Sequence, residues 1–199
     1  MEAISKVDNI FSQYVQKRSV FRDKTVLTAN FIPEKIPHRN EEITQLSSAL
    51  APMLKGFHAS NIFVYGTCGT GKTICSRFVV HQLEEAANDS QIKAIYINCK
   101  MKKVADTEYR LLAQLLKELG ECVPDTGLPT DVLYRRFFEN ADSKKQTLVL
   151  VLDEIDALFK KIGDEFLYNL TRINQELKQA KLNIIGITND LSFRDGLDM

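Results

Sequence analysis

The sequence has no tryptophan, and among its 199 residues it has only 9 glycines, 5 prolines and 4 cysteines. So few glycines and prolines exclude a collagen-like, low-complexity or linker-dominated chain. The cysteines have no Cys-x-x-Cys spacing and are accompanied by three histidines, which argues against a zinc cluster. Reduced thiols in a cytosolic protein are the ordinary interpretation of such a set.

An excess of charge of either sign is also lacking, because 26 Lys and Arg balance 26 Asp and Glu. Binding to nucleic acid or to an anionic membrane through the whole surface is therefore not supported, and any such contact would be local. The first residues have no continuous apolar segment like that of a secretory signal. The longest aliphatic run, 148–152, is far too short to span a bilayer. We expect a cytoplasmic protein without membrane contact.

Short apolar segments alternate with amphipathic ones along the chain. The predicted strands are 61–66, 92–99, 147–152 and 183–188, and the predicted helices are 41–56, 71–88, 104–119, 131–140 and 164–178. Thr130 is the expected N-cap of the fourth helix. The alternation predicts an α/β fold whose parallel sheet is covered by helices on both faces. Ligands of such sheets bind beyond the carboxyl ends of the strands.

The first segment that carries chemistry, Gly66 to Thr73, has the pattern G-x-x-x-x-G-K-T. Its glycines let backbone N–H groups surround phosphate oxygens without a Cβ in the way. Lys72 would supply positive charge to the β- and γ-phosphates, and the Thr73 hydroxyl would bind Mg²⁺. A predicted strand before the loop and a predicted helix after it favour a nucleotide site over a chance glycine-rich turn. The expected nucleotide contacts in this loop are Gly66, Thr67, Cys68, Gly69, Thr70, Gly71, Lys72 and Thr73.

The second segment is the acidic sequence that follows the third predicted strand. Asp153 would hold Mg²⁺ through water, and Glu154 would polarise an attacking water. Taken alone, these residues would equally indicate the start of a helix with Asp156 as its cap. The preceding strand and the upstream phosphate loop favour the functional interpretation.

A third, weaker signal is Asn189, which follows the fourth predicted strand. Its amide would position the attacking water or sense the γ-phosphate, although an Asn-Asp pair by itself more often starts a turn. The functional interpretation rests on the position of Asn189 beside the other two segments. The short basic cluster Lys100, Lys102 and Lys103 is interpreted as a solvated surface.

These three segments together resemble the Walker A, Walker B and first-sensor elements of AAA+ ATPases. The sequences IPHR at 36–39, INCK at 97–100 and IIGITNDLSFRDGLD at 184–198 are similar to those of archaeal DNA replication initiators of the origin-recognition and cell-division-cycle type. The resemblance extends over nearly the whole chain. It implies the P-loop NTPase fold of AAA+ proteins, a three-layer αβα sandwich with a parallel sheet.

The resemblance implies an ATP-controlled switch that binds ATP or ADP with Mg²⁺, recognises origin duplex DNA and helps to load the replicative helicase. Lys72, Glu154 and Asn189 would take part in catalysis, and Thr73 and Asp153 would hold the metal. The adenine-side box of the family is matched by Ile36, Pro37, His38 and Arg39. The initiator-specific insertion, which meets the DNA minor groove in relatives, is matched by Thr126, Gly127 and Pro129.

The resemblance divides the chain into an N-terminal arm with the adenine-side box, 1–40, and an AAA+ core, 41–199. The arginine finger, fifth strand, helical lid and winged helix that follow the first sensor in the family have no counterpart in this sequence. We therefore expect slow ATP turnover, an open edge on the phosphate-loop strand and self-association. The expected location is cytoplasmic and nucleoid-associated. Two alternatives stay open: a nucleotide-dependent interaction module with little hydrolysis, and a helicase loader or transposition regulator unrelated to origins.

Overall fold

The computed structural model describes residues 12, 20–28, 31–87, 92–102, 104–124, 127–163 and 165–193. The chain forms two compact units, Met1–Glu34 and Lys35–Met199. In the first unit, a 3-10 turn at Thr25–Leu27 follows Asp23, whose carboxylate accepts hydrogen bonds from the backbone N–H and the hydroxyl of Thr25 at 2.8 and 2.7 Å. The second unit contains the segments 36–39 and 66–73.

The second unit is built on a parallel sheet. Its strands are β1 (Ile62–Tyr65), β2 (Ile92–Asn98), β3 (Thr147–Asp153) and β4 (Lys181–Thr188). The order across the sheet is β1-β4-β3-β2, and every neighbouring pair is parallel. The two central strands are almost wholly buried, which explains the apolar runs 148–152 and 184–187 within them. The predicted α/β fold with a parallel sheet is confirmed.

Strand register brings the functional segments to one edge of the sheet. Asp153 at the end of β3 lies opposite Asn98 of β2 and Ile187 of β4. Tyr65 at the end of β1 lies opposite Thr188 of β4. The phosphate loop, the acidic residues and Asn189 therefore all leave the sheet at its carboxyl edge, where a ligand was expected.

Helices cover both faces of this sheet. They are α1 (Asn40–Leu50), α2 (Lys72–Ala86), α3 (Glu108–Glu118), α4 (Thr130–Lys144), α5 (Ile155–Ile162) and α6 (Glu165–Arg172). Two 3-10 turns, Ala51–Lys55 and Ile173–Gln175, continue α1 and α6. None of the helices in the described part of the chain is long and apolar enough to cross a membrane.

Two hydrophobic cores result from the alternation of side chains along the strands. Val149 and Val151 of β3 join the core under α1 and α2. Leu148, Leu150 and Leu152 join the core under α3, α4, α5 and α6. Full burial of one such leucine side chain contributes about 1.5–3 kcal/mol by removal from water. The three-layer sandwich follows from this division of one strand between two cores.

Three boundaries predicted for α3 and α4 were wrong. The helix predicted from 104 begins at Glu108, because Thr107 is extended and its hydroxyl oxygen accepts a hydrogen bond from the N–H of Arg110 at 3.3 Å. Thr130 is not an N-cap: Pro129 occupies that position with extended backbone, and Thr130 is the first helical residue of α4. The same helix continues to Lys144, four residues beyond its predicted end.

One helix was not predicted, and two are shorter than expected. The first of these, predicted over 41–56, ends as α1 at Leu50, and a 3-10 turn covers Ala51–Lys55. Helix α5 follows the acidic residues directly and has only eight residues, too few for its periodicity to stand out. Of the helix predicted over 164–178, α6 covers Glu165–Arg172, and a 3-10 turn replaces the next residues. Residue 164 lies outside the described residues.

Candidate functional site

The loop between β1 and α2 curves at its glycines. Gly69 and Gly71 have φ angles of 80° and 88°, in the region that glycine adopts without a Cβ penalty. Gly71 is also the N-cap of α2, so the free N–H groups of the first helical turn face the loop. The loop can therefore surround an anion with backbone donors at a helix N-terminus.

The Lys72 ammonium lies inside this loop. Its Nζ donates to the carbonyl oxygens of Gly66 and Thr67 at 3.0 and 2.8 Å and lies 3.4 Å from the hydroxyl oxygen of Thr70. The Thr70 hydroxyl itself donates to the Thr67 carbonyl at 2.9 Å. These bonds hold one positive charge at the centre of the loop, and Cys68 is exposed on its surface.

Thr73 and Asp153 join the phosphate loop to the end of β3. The Thr73 hydroxyl donates to Asp153 Oδ2 at 3.0 Å across 80 residues of sequence. The other carboxylate oxygen accepts the backbone N–H of Glu154 at 3.0 Å, and Asp153 is only 6% exposed. These two hydrogen bonds fix the orientation of the carboxylate, with Oδ2 toward the loop.

This pair fits a magnesium ion, because Mg²⁺ binds oxygen ligands such as a hydroxyl and a carboxylate. In the described residues no group of three or more His, Cys, Asp and Glu side chains is close enough to hold a metal. Thr73 and Asp153 would thus supply two protein ligands or water contacts, and water and phosphate oxygens would supply the others, which is the usual arrangement for Mg²⁺.

Two further residues at Asp153 were missed by the sequence analysis. The Tyr96 hydroxyl of β2 donates to the same Oδ2 atom of Asp153, and the Arg77 guanidinium carbon lies 3.9 Å from the centre of the Tyr96 ring. The pKa of Tyr96 is raised far above its ordinary value, mainly because the hydroxyl is buried and also because the Asp153 carboxylate lies beside it. No local sequence signal marks either residue, since a tyrosine in a strand and an arginine in a helix are ordinary.

Glu154 has an unusual backbone conformation and a charged partner. Its φ angle of 56° is left-handed, which is uncommon for a residue other than glycine. Its Oε2 lies 3.2 Å from Lys100 Nζ, just beyond β2. The Glu154 side chain is 24% exposed and the Lys100 side chain 74% exposed. Lys100, interpreted above as part of a solvated cluster, therefore contacts the expected water-polarising carboxylate.

Asn189 leaves the sheet between the two other segments, because β4 lies between β1 and β3. It is exposed, whereas the preceding Thr188 is fully buried. The Thr188 hydroxyl donates to Asp156 Oδ1 at 2.7 Å and accepts the N–H of Asp190 at 3.0 Å. Asp156 therefore ties the first turn of α5 to the end of β4.

The segment 36–39 lies beside the phosphate loop. A Cβ placed on Gly71 would be 3.8 Å from Arg39 Nε, and the Arg39 guanidinium pairs with Glu42 at 2.6 Å. Ile36 packs against the core under α1 and α2. Pro37 and His38 are exposed, and His38 has a left-handed φ of 59°. A contact of this segment with adenine stays a prediction.

Of the three residues predicted to meet DNA, Gly127 and Pro129 lie on the other side of the sheet from α1 and α2. Gly127 and Pro129 are exposed in the connection that leads into α4. Thr126 lies outside the described residues. The nearby arginines have acidic partners: Arg135 lies 3.9 Å from Asp131, and Arg136 lies 3.4 Å from Glu121. The DNA contact stays a prediction.

Comparison with known proteins identifies similar chains. The family model of the AAA domain matches residues 54–194. ORC1-type DNA replication proteins of Pyrococcus abyssi and Sulfurisphaera tokodaii are 46% and 47% identical over 96% of this chain, which covers 46% and 47% of their lengths. The structure of the Aeropyrum pernix ORC1 protein in complex with DNA matches with a TM-score of 0.79 and 38% identity, over 89% of this chain and 45% of that one. The chain thus spans about half the length of the curated relatives it matches.

Proposed function

Because the chain belongs to the AAA domain family, we propose that it is the ATP-binding and hydrolysing core of a DNA replication initiator. The observation that carries the proposal is the 3.0 Å hydrogen bond between Thr73 and Asp153. It joins the phosphate loop to the acidic residues after β3, and an ATPase needs both motifs. The similarity to ORC1-type DNA replication proteins over 96% of the chain supports the role in replication.

Nucleotide binding would depend on the phosphate loop. The backbone N–H groups that follow Gly71 would donate to phosphate oxygens, and Lys72 would turn from the carbonyl oxygens of Gly66 and Thr67 toward the β- and γ-phosphates. Arg39 lies close enough to Gly71 to bring the segment 36–39 beside the bound nucleotide. We assign this segment to the adenine side of the site.

Hydrolysis would depend on the carboxyl ends of β3 and β4. Bound Mg²⁺, held through Thr73 and Asp153, would neutralise phosphate charge. After leaving its ion pair with Lys100, the Glu154 carboxylate would polarise an attacking water or accept a proton from it. Asn189, exposed between the phosphate loop and Glu154, would orient that water or contact the γ-phosphate.

A second candidate function is a nucleotide-dependent interaction module or helicase loader with little intrinsic hydrolysis. The observation that favours it is the ion pair between Lys100 and Glu154 at 3.2 Å, because it engages the carboxylate that hydrolysis requires. Measured phosphate release beside nucleotide affinity separates the two candidates.

We further propose that the initiator recognises origin duplex DNA, loads the replicative helicase and is associated with the nucleoid. The structure of a similar ORC1 protein with DNA supports the first of these roles. Thr126, Gly127 and Pro129 are the proposed minor-groove contacts, and the last two are exposed. Self-association is proposed through β1, which pairs only with β4 in the described residues and lies beside a partly apolar groove along α1.

The proposal is tested by the substitution Lys72→Ala. A hydrogen bond to a charged group is worth about 1.5–3 kcal/mol, so the affinity for ATP with Mg²⁺ should fall by about 10- to 150-fold. Lys93→Ala is the matched control, because Lys93 also donates to a backbone carbonyl oxygen, that of Glu118, and its loss removes the same charge. Calorimetry decides: no binding by the parent chain, or equal affinities of the parent and Lys72→Ala, would overturn the proposal.

A further inference from the structure

The Tyr96 side chain extends diagonally from β2 to the end of the neighbouring strand β3, where the expected metal site lies. It lies opposite Val151 of β3 in the strand register, two residues before the pair formed by Asn98 and Asp153. Side chains two positions apart on a strand point to the same face of the sheet, so Val151 and Asp153 share the face of Tyr96. The Tyr96 hydroxyl donates to Asp153 Oδ2, which also accepts the Thr73 hydroxyl.

Arg77 restrains the tyrosine ring from the helix above. It lies one turn after Thr73 in α2, and residues four apart share a helix face. Its guanidinium carbon is 3.9 Å from the centre of the Tyr96 ring. Thr73 and Arg77 therefore contact Asp153 and Tyr96 side by side, and the four side chains connect α2, β2 and β3.

We propose that Tyr96 is a positioning residue for magnesium. Its hydroxyl holds the Asp153 carboxylate beside Thr73. The inference rests on the proposed function, since it concerns the metal that would accompany the nucleotide. Without the tyrosine hydroxyl, Oδ2 would keep Thr73 as its donor, and the carboxylate would be free to turn about its side-chain torsions. Loss of a hydrogen-bond partner behind a metal ligand typically lowers metal affinity about 10- to 100-fold.

Tyr96→Phe isolates this effect. The ring and the guanidinium of Arg77 that lies over it stay in place, and the hydroxyl that donates to Asp153 is removed. Tyr134→Phe is the matched control, because the Tyr134 hydroxyl also donates to a carboxylate, Glu108 Oε1 at 2.6 Å, and packs on the other face of the sheet. A general loss of packing would affect both variants, whereas a magnesium effect would affect one.

The experiment is a calorimetric titration of ADP at a series of Mg²⁺ concentrations and in EDTA. For Tyr96→Phe, the Mg²⁺ concentration that gives half of the gain in ADP affinity should rise by about 10- to 100-fold, while the affinity in EDTA stays that of the parent. Tyr134→Phe should match the parent in both conditions. In an Asp153→Asn background, Tyr96→Phe should cause no further change, because the two residues act through one contact.

The outcomes separate the inference from the function on which it rests. A parent chain that binds no ADP overturns the proposed function. A parent chain with a magnesium effect that Tyr96→Phe leaves unchanged, or a Tyr96→Phe variant weakened equally in EDTA, overturns the inference alone. If thermal melting shows that Tyr96→Phe does not fold, Arg77→Met carries the test: a cation–π contact of about 0.5–1 kcal/mol predicts a twofold to fivefold rise in the half-saturating Mg²⁺ concentration, and no rise overturns the inference.

Discussion

Glutamine at position 154 separates nucleotide binding from hydrolysis. Glu154→Gln keeps the size of the side chain and the left-handed backbone at φ 56°, and it removes only the carboxylate charge. The phosphate loop and Asp153 are unchanged, so ATP and ADP should bind as they do to the parent chain. Loss of a general base typically lowers the rate about 10²- to 10⁴-fold, and phosphate release should fall by this factor.

The ion pair with Lys100 gives the same prediction a second arm. The two charged atoms lie 3.2 Å apart, but the Lys100 side chain is 74% exposed, so the pair is worth at most about 1 kcal/mol. Lys100→Met should therefore free the carboxylate and raise turnover by no more than about fivefold. Lys160→Met is the matched control, because Lys160 is 66% exposed and pairs with the neighbouring Asp156 and Asp190 at 3.9 and 3.4 Å.

Phosphate release under single-turnover conditions, measured beside ADP affinity, decides both arms. Parental turnover in Glu154→Gln would show that this carboxylate does not act on water. Equal rates for Lys100→Met and Lys160→Met would show that the pair with Lys100 does not restrain Glu154. A tenfold weaker ADP affinity in Glu154→Gln would mean that the residue binds nucleotide instead.

Two further predictions concern acid stability and DNA. Burial raises the pKa of Asp142, but hydrogen bonds from the backbone N–H groups of residues 178–180 outweigh it and lower the pKa overall. The carboxylate therefore stabilises the fold at pH values above its ordinary pKa, and this stabilisation is lost as the pH falls through the lowered pKa. Asp142→Asn should lower the urea midpoint of unfolding at pH 7 and should lower it less near pH 3. An equally large difference between the midpoints of the variant and the parent near pH 3 contradicts the argument. The chain should bind duplex DNA weakly with a shallow salt dependence, because its net charge is zero; tight, strongly salt-dependent fluorescence anisotropy would reveal a basic surface that was missed.

The parts of the site that could be predicted are those whose chemistry is local in sequence. The phosphate loop needs its glycines, Lys72 and Thr73 to be consecutive, and Asp153 and Glu154 must follow a buried strand directly. The strands were found for a similar reason, since β3 and β4 contain the apolar runs 148–152 and 184–187, which are buried on both faces. Helix α5 was not predicted, because its eight residues make little more than two helical turns and show too little periodicity.

Thr130 shows why the choice of a helix cap is less predictable. Threonine is a good N-cap, yet the chain at Pro129 is extended with φ −61° and ψ 147°, and this proline occupies the cap position. The N–H of Val132 bonds to the carbonyl oxygen of Pro129 at 3.1 Å, so no threonine side chain is needed to start the helix. Backbone geometry set by the preceding proline prevailed over side-chain preference.

The sequence by itself determined the parallel α/β fold, the phosphate loop and the acidic end of β3, because each depends on neighbouring residues. Only the tertiary structure decided which side chains surround Asp153 and Glu154. The order β1-β4-β3-β2 places Asn189 between the phosphate loop and Glu154. The register of β2 against β3 brings Tyr96 to Asp153, and the turn beyond β2 brings Lys100 to Glu154. These contacts join residues more than 50 positions apart, and their geometry depends on how whole strands pair, which no local pattern encodes.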